Sequence, residues 1–330
     1  MRVLLVKLSS LGDVIHTLPA LGDAAAALPG IRFDWVVEEG FREVPAWHPA
    51  VAEVIPVALR RWRGRMGRNF SRREWTAARA AIAAHDYDAV IDAQGLLKSA
   101  IITHLVKAPR YGMDRHSARE SLAALAYDRP LAVPRDMHAV ERIRLLFSRA
   151  LGYTLPDGPG DYGLLGRLPV ALEPRPAGLL LLHGSAREDK LWPRQRWVEL
   201  AALAAGQGLD VWLPWGNEQE RERAGQIAAS ASNAKVLSRM DLLGLAGLLQ
   251  QARAVVAVDT GLGHLSAALA VPTVSLYGPT DTRLIGTYGA NQIHIRPAGA
   301  ARGKDPRPVM AAIPAPRVWE ALQTLPGGLA

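Results

Sequence analysis

The chain has 330 residues, a formal charge of +8 and an isoelectric point near 10.0. Hydrophobic residues make up 49% and charged residues 21%, which is enough apolar side chain for roughly two cores and excludes wholesale disorder. There is no cysteine; disulfides, iron–sulfur clusters, thiolate–zinc sites and a cysteine nucleophile are excluded, and a reducing compartment fits.

Arginine supplies 33 of the 39 basic residues. Residues 1–150 hold 22 basic and 16 acidic side chains, a net of +6, against +2 for the remainder. Such a balance points to an anionic partner: nucleic acid, a membrane surface or an acidic substrate. No apolar run reaches the length of a membrane span. The opening Met1–Val6 meets Lys7, Ser9 and Ser10 too soon for a signal peptide. The expectation is a cytoplasmic protein that touches a membrane only at its surface.

Arg2–Val6 reads as a short buried strand, followed by a turn at Ser9–Asp13 and a helical stretch over Val14–Leu28. Phe33–Val37 and Ala89–Asp92 are further strands, the second ending at Gln94-Gly95. Prolines and glycines crowd residues 155–178, where the chain crosses between domains. The pattern then restarts. Strands are expected at Gly178–Leu182, Asp210–Leu213, Ala254–Val258 and Thr273–Leu276, the last closing the series. Helices are expected at Trp197–Gln207, Gln219–Ala229, Leu242–Gln251 and Leu262–Leu269, and a final one at Val318–Leu325. Strands alternating with helices predict parallel sheets covered on both faces, hence two Rossmann-like α/β domains and a cleft between them.

Open α/β sheets place ligands at the C-terminal ends of their strands. The first such turn is Lys7-Leu8-Ser9-Ser10-Leu11-Gly12-Asp13. Its glycine spacing is wrong for a dinucleotide fingerprint, which disfavours a nicotinamide oxidoreductase. Asp13 suits two roles equally on placement alone: a cap for a helix starting at Val14, or a base for a substrate hydroxyl. Residues 60–73 carry seven arginines and no acid. Arginine forks match phosphate and carboxylate. Nucleic acid is one candidate, with the interleaved Trp62 and Phe70 stacking on bases, an anionic lipid headgroup is another, and a solvated loop is the plain alternative.

In the second half, His183-Gly184-Ser185-Ala186-Arg187 and Lys190 form a strand-end loop able to neutralise phosphate. Leu213-Pro214-Trp215-Gly216 leads to Glu218 and Glu220, acids suited either to ribose hydroxyls or to a helix dipole. Val258-Asp259-Thr260-Gly261-Leu262-Gly263-His264 runs from an apolar strand through a glycine-rich turn into a helix, whose free amides make an anion site fit for pyrophosphate. Tyr277–Asp281 is one more strand-end loop. The nine histidines form no His-Glu-x-x-His pattern, so a metal is not expected.

Taken jointly, Met1–Pro19, Phe33–Gly40, Tyr87–Ser99, His138–Arg142, His183–Pro193, Leu213–Gly216, Val258–His264 and Tyr277–Asp281 resemble the ADP-heptose:lipopolysaccharide heptosyltransferases, in order along almost the whole chain. The resemblance is closest to the branch that adds the first heptose. It implies a GT-B fold, with an acceptor-binding domain at 1–165, a nucleotide-sugar domain at 166–312 and a last helix at 313–330 that returns to the first domain. It implies inverting transfer of heptose from ADP-heptose to a Kdo residue of Kdo2-lipid A. No cofactor is then required, and the partners are the two substrates and an anionic inner-membrane surface; a monomer without nucleic acid is expected.

By the same resemblance, Asp13 is the general base and Lys190 steadies the departing diphosphate. Ser185, Ala186, Glu220, Met240, Asp259, Thr260, Gly261 and His264 join Lys190 at the donor, with Ser185 standing where many relatives have threonine. Ser10, Gly12, Arg60, Arg61, Arg63, Arg119 and His138 belong to the acceptor side. The alternatives are transfer to an already heptosylated acceptor and, from another class, a nucleic-acid-binding protein.

Overall fold

The computed structural model describes residues 1–63, 71–168, 178–297, 310–326 and 329, the side chain of Arg63 excepted. It divides into two units, Met1–Leu164 and Leu165–Ala330. The expected boundary after residue 165 lies beside the observed one, within the same proline- and glycine-rich stretch.

The first unit holds β1 (Arg2–Val6), β2 (Arg32–Glu38), β3 (Val51–Val57), β4 (Ala89–Asp92), β5 (Arg110–Met113) and β6 (Arg129–Leu131). They form one parallel sheet in the order β3-β2-β1-β4-β5-β6. The second unit holds β7 (Gly178–Leu182), β8 (Asp210–Leu213), β9 (Ala234–Val236), β10 (Ala254–Val258), β11 (Thr273–Leu276) and β12 (Gln292–Ile295). Its parallel order, β12-β11-β10-β7-β8-β9, is the same arrangement again. In each unit the strand order reverses beside the first strand, so β1 and β4, and β7 and β10, flank the switch points where such sheets bind ligands.

The apolar strands are the central ones. Every residue of β4, β7 and β10 is buried, as two-sided coverage by helices requires. Each fully buried valine or leucine there stabilises the fold by about 1.5–3 kcal/mol. The registers Val6↔Asp92 and Ala257↔Leu182 bring the ends of each central pair level.

Three expectations are corrected. The stretch Val14–Leu28 is two helices, Leu11–Ile15 and Leu18–Ala27. Pro19 lies in the first turn of the second, the one place where a missing N–H costs nothing. The second sheet does not close at β11, because β12 pairs beyond it with Thr273 opposite Gln292. The last helix, Ala315–Thr324, stays in the second unit. It buries Val318, Trp319 and Leu322 in one core with Trp192 and with Trp197 and Leu200 of the Arg194–Ala205 helix. The Trp192 indole donates to the Ile313 carbonyl at 3.0 Å and ties down the approach to that helix. Its apolar stripe is therefore buried within the second unit.

Candidate active site

In the first unit the loop after β1 turns directly into the Leu11–Ile15 helix, with Ser10 as N-cap and Asp13 in the first turn. Asp13 Oδ2 accepts from the Ser10 amide at 2.7 Å and the Ser10 hydroxyl at 2.8 Å. The helix thus begins three residues earlier than expected, and Asp13 closes it by reaching back. Capping and chemistry are not alternatives here, since the cap is what holds the carboxylate in place.

Asp13 lines a cavity of about 430 Å³ with Ser9, Ser10, Arg60, Gln94, Lys98 and Arg119 among its walls. Gln94, at the end of β4, accepts from the amides of Leu8 and Ser9 at 3.0 and 3.1 Å, locking the two switch-point loops together. Beneath them, buried Lys7 donates to the Ala93 carbonyl at 2.9 Å. Burial pulls its ammonium below the usual lysine range, against the opposing pull of Asp13 and Asp92. Burial likewise pushes the Asp92 carboxyl up, against hydrogen bonds from Tyr127, Ser99 and the amides of Gln94 and Gly95. The cavity therefore combines two carboxylates held by backbone amides, Asp13 and Glu120, with three cationic side chains, a setting for an anionic molecule beside a group able to take a proton.

The expected acceptor residues part company. Ser10, Arg60 and Arg119 reach this cavity, and Gly12 is buried in the turn behind it. Arg61 does not. Its guanidinium is taken by Glu39 at 3.1 Å and Glu74 at 3.0 Å, and it lines a separate cavity with Trp62. Local ion pairing, available only once the Arg72–Ile82 helix is in place, turns it away. His138 caps the Ala139–Leu151 helix by accepting from the Val140 amide at 3.2 Å, and its ring meets His16 edge-on. It is not among the cavity walls. The Arg63 side chain, and residues 64–70 of the arginine segment, lie outside the described residues.

In the second unit the loops after β7, β10 and β11 converge on one ion pair. Lys190 Nζ lies 2.6 Å from Asp259 Oδ2, both side chains largely buried. The Thr280 hydroxyl donates to the same Asp259 oxygen, and the Ser185 hydroxyl donates to the Asp259 carbonyl at 3.3 Å. Thr260 is the N-cap of the Gly261–Ala268 helix, which starts here and carries buried His264. Arg187 is turned aside, its Nε 2.9 Å from Asp189. Ala186 is exposed beside it.

Next to this pair lies a smaller pocket of about 90 Å³, walled by His183, Gly184, Trp215, Gly216, Glu220, Leu245, Thr260 and Leu262 among others. Glu220 Oε2 accepts from the Gly216 amide at 2.8 Å, and the Glu220 amide donates to Asn217 at 3.0 Å. Gly184 is indispensable to this placement: a Cβ there would stand 2.5 Å from Glu220 Oε1. An apolar slot beside a carboxylate, with a lysine and a helix N-terminus next door, suits a nucleoside diphosphate. Met240 packs against Gly244 and is not a wall of this pocket.

The model of glycosyltransferase family 9, the heptosyltransferases, matches residues 75–307. The chain is 57% identical over 296 residues to the lipopolysaccharide heptosyltransferase 1 of Pseudomonas aeruginosa, covering 89% of this chain and 83% of that one. The chain belongs to glycosyltransferase family 9.

Solved heptosyltransferase structures cover almost the whole chain. The Escherichia coli heptosyltransferase WaaC with ADP superposes with a TM-score of 0.90 at 47% identity, covering 98% of this chain and 99% of that one. WaaC with ADP-2-deoxy-2-fluoro heptose gives 0.85 at 46%, with the same coverage. The enzyme class and the GT-B fold class expected from the resemblance both hold for this chain.

Three residues, two beside the first unit's cavity and one at the second unit's ion pair, escaped the sequence reading. Lys98 and Gln94 sit in the quoted Tyr87–Ser99 motif, yet only the β1–β4 pairing reveals that they share a cavity with Asp13. Thr280 was visible only as part of a strand-end loop; its partner is 21 residues away. Among the described residues one cluster has metal-ligating atoms in reach, Asp34, Glu53 and His85. Arg2 already pairs with both carboxylates there, at 2.7 and 3.8 Å.

Proposed function

We propose that the protein transfers L-glycero-D-manno-heptose from ADP-heptose, with inversion, to a Kdo residue of Kdo2-lipid A. It works as a monomer at the cytoplasmic face of the inner membrane. The observation that carries this reading is the pinned Asp13 carboxylate among Arg60, Lys98 and Arg119, beside a β1–β4 switch point. Support for the donor comes from the second unit's Lys190, Glu220 and helix N-terminus, and from the ADP-heptose analogue named with WaaC.

The chemistry follows from these residues. The acceptor hydroxyl gives its proton to Asp13 as its oxygen bonds to the anomeric carbon. The carbon–oxygen bond to the diphosphate breaks, and its electron pair leaves with ADP. Lys190 and the first amides of the Gly261–Ala268 helix face the charge that develops there, so they favour the transition state over the ground state. Arg60, Lys98 and Arg119 hold the acidic acceptor by its carboxylate and phosphate groups. With these donors in place the transfer needs no divalent metal.

The test is transfer from ADP-heptose to Kdo2-lipid A and, separately, to a heptosylated acceptor, each with and without EDTA. Product on the Kdo acceptor, undiminished by EDTA, is expected. Asp13→Asn should lower turnover by about 10²–10⁴-fold while leaving ADP-heptose affinity unchanged. Product on the heptosylated acceptor alone would replace this acceptor with the next one along the core.

A further inference from the structure

Eight large hydrophobic side chains are exposed among the described residues, and four of them sit on two short neighbouring elements of the first unit: Leu97, Ile101, Leu122 and Leu125. Single exposed leucines are ordinary, but a cluster is not. The spacing explains how they gather. Leu97 and Ile101 stand four apart on the Leu97–Thr103 helix, hence on one face. Leu122 and Leu125 stand three apart on the 3-10 helix Ser121–Ala126, whose three-residue turn stacks them directly.

The inner sides of both elements are satisfied. Ala100, Ala123, Ala124 and Tyr127 form a small core between them, and Glu120 accepts from the Leu97 amide at 2.6 Å. The small alanines draw the two elements close, and the large residues are left outside. Ile101 is 65% exposed and Leu125 84%.

The same two elements carry charge toward the Asp13 cavity. Lys98 follows Leu97, and Arg119 and Glu120 precede Ser121; all three line that cavity. Here the two cations Lys98 and Arg119 outnumber the one carboxylate, Glu120, so this margin of the surface carries a net positive charge. An apolar surface flanked by cations and continuous with a site for an anionic substrate fits one kind of partner. We propose that Leu97, Ile101, Leu122 and Leu125 form a shallow insertion surface that docks the first unit into the headgroup region of an anionic lipid bilayer. The proposal rests on the reading that the acceptor is held in a membrane, and it adds the side chains that enter that membrane. Aliphatic insertion with electrostatic attraction is how interfacial proteins gain two weak anchors at once.

The experiment uses the full chain and vesicles of phosphatidylethanolamine and phosphatidylglycerol. The triple variant Ile101→Ser, Leu122→Ser, Leu125→Ser should float with them about tenfold less. Its transfer to Kdo2-lipid A embedded in the vesicles should fall in proportion. Its transfer to an acceptor stripped of acyl chains should match the unaltered protein, which also shows that the variant is folded. Because the chain has no cysteine, Leu125→Cys labelled with an environment-sensitive dye gives a single probe, whose emission should shift to the blue on vesicle addition.

Unchanged flotation of the triple variant, or an unshifted probe, overturns the proposal. So does a dimer in solution that the triple variant abolishes, since the surface would then join two copies. Absence of transfer by the unaltered protein to the acyl-free acceptor would instead count against the assigned reaction, leaving the flotation and probe results to judge the surface by themselves.

Discussion

The Lys190 ammonium lies 2.6 Å from the Asp259 carboxylate, in a position where both are mostly withdrawn from water. The pair fixes the position of the cation. Lys190→Ala should lower turnover by about 10²–10³-fold, as loss of one preorganised charge donor does. Asp259→Ala should be damaging as well, because it leaves Lys190 without its partner. The two losses should overlap by at least about 1 kcal/mol in a double-mutant cycle on kcat. Strict additivity would show that Asp259 does not act through Lys190.

Gly184 and Glu220 make a different prediction. A methyl group at Gly184 would collide only with the movable end of Glu220. Gly184→Ala should therefore displace the carboxylate without unfolding the unit. If Glu220 receives ribose hydroxyls, the KM for the nucleotide sugar should rise about 10–100-fold, the worth of a hydrogen bond to a charged group. The melting temperature should move little. An unchanged KM would remove Glu220 from the donor site.

His183 ties stability to pH. Burial, reinforced by the charge of Arg223, pulls its imidazole down to about 4. In the unfolded chain it titrates near its ordinary value of about 6.5. The unfolded state therefore binds the extra proton first as pH falls. The stabilising contribution is complete above about 6.5 and is lost progressively toward 4, by about 3 kcal/mol in all. Urea midpoints measured from pH 7.5 to 4.5 should decline across this window, and His183→Leu should flatten the decline.

Arg144 tests the frame of the first unit. Its guanidinium is buried, 2.6 Å from Asp23 and 2.9 Å from Glu141, and it also donates to the carbonyls of Gly158 and Pro156 at 2.8 and 3.2 Å. Arg144→Met leaves those acids and carbonyls without their donor. A loss of about 3–5 kcal/mol in unfolding free energy is expected; a loss below 1 kcal/mol would mean that solvent replaces the arginine.

The central strands were legible because each is short, apolar and fully buried, a pattern that burial on both faces imposes. Ala89–Asp92, Gly178–Leu182 and Ala254–Val258 appear where the sequence places them. The outer strands were not. Pro56 and Glu53 interrupt β3, and β6, β9 and β12 read Arg-Pro-Leu, Ala-Lys-Val and Gln-Ile-His-Ile. Such segments become strands because a neighbour offers hydrogen bonds, which no local pattern records. The site divides in the same way. Asp13, Lys190 and Asp259 stand at strand ends and were visible as such. The fate of Arg61 depended on Glu74, thirteen residues along on another helix, and no spacing rule foretells that choice.

The duplicated strand order has a further consequence for motion. In both units the loops that carry Asp13, Gln94, Ser185 and Asp259 hang from innermost strands, with at least two strands outside them on either side. Amide protons of β1, β4, β7 and β10 should exchange slowest, and those of β6, β9 and β12 fastest. Fraying at the margins then leaves these side chains in register. Each sheet acts as a buffer, absorbing local openings at its rims before they reach its central strands.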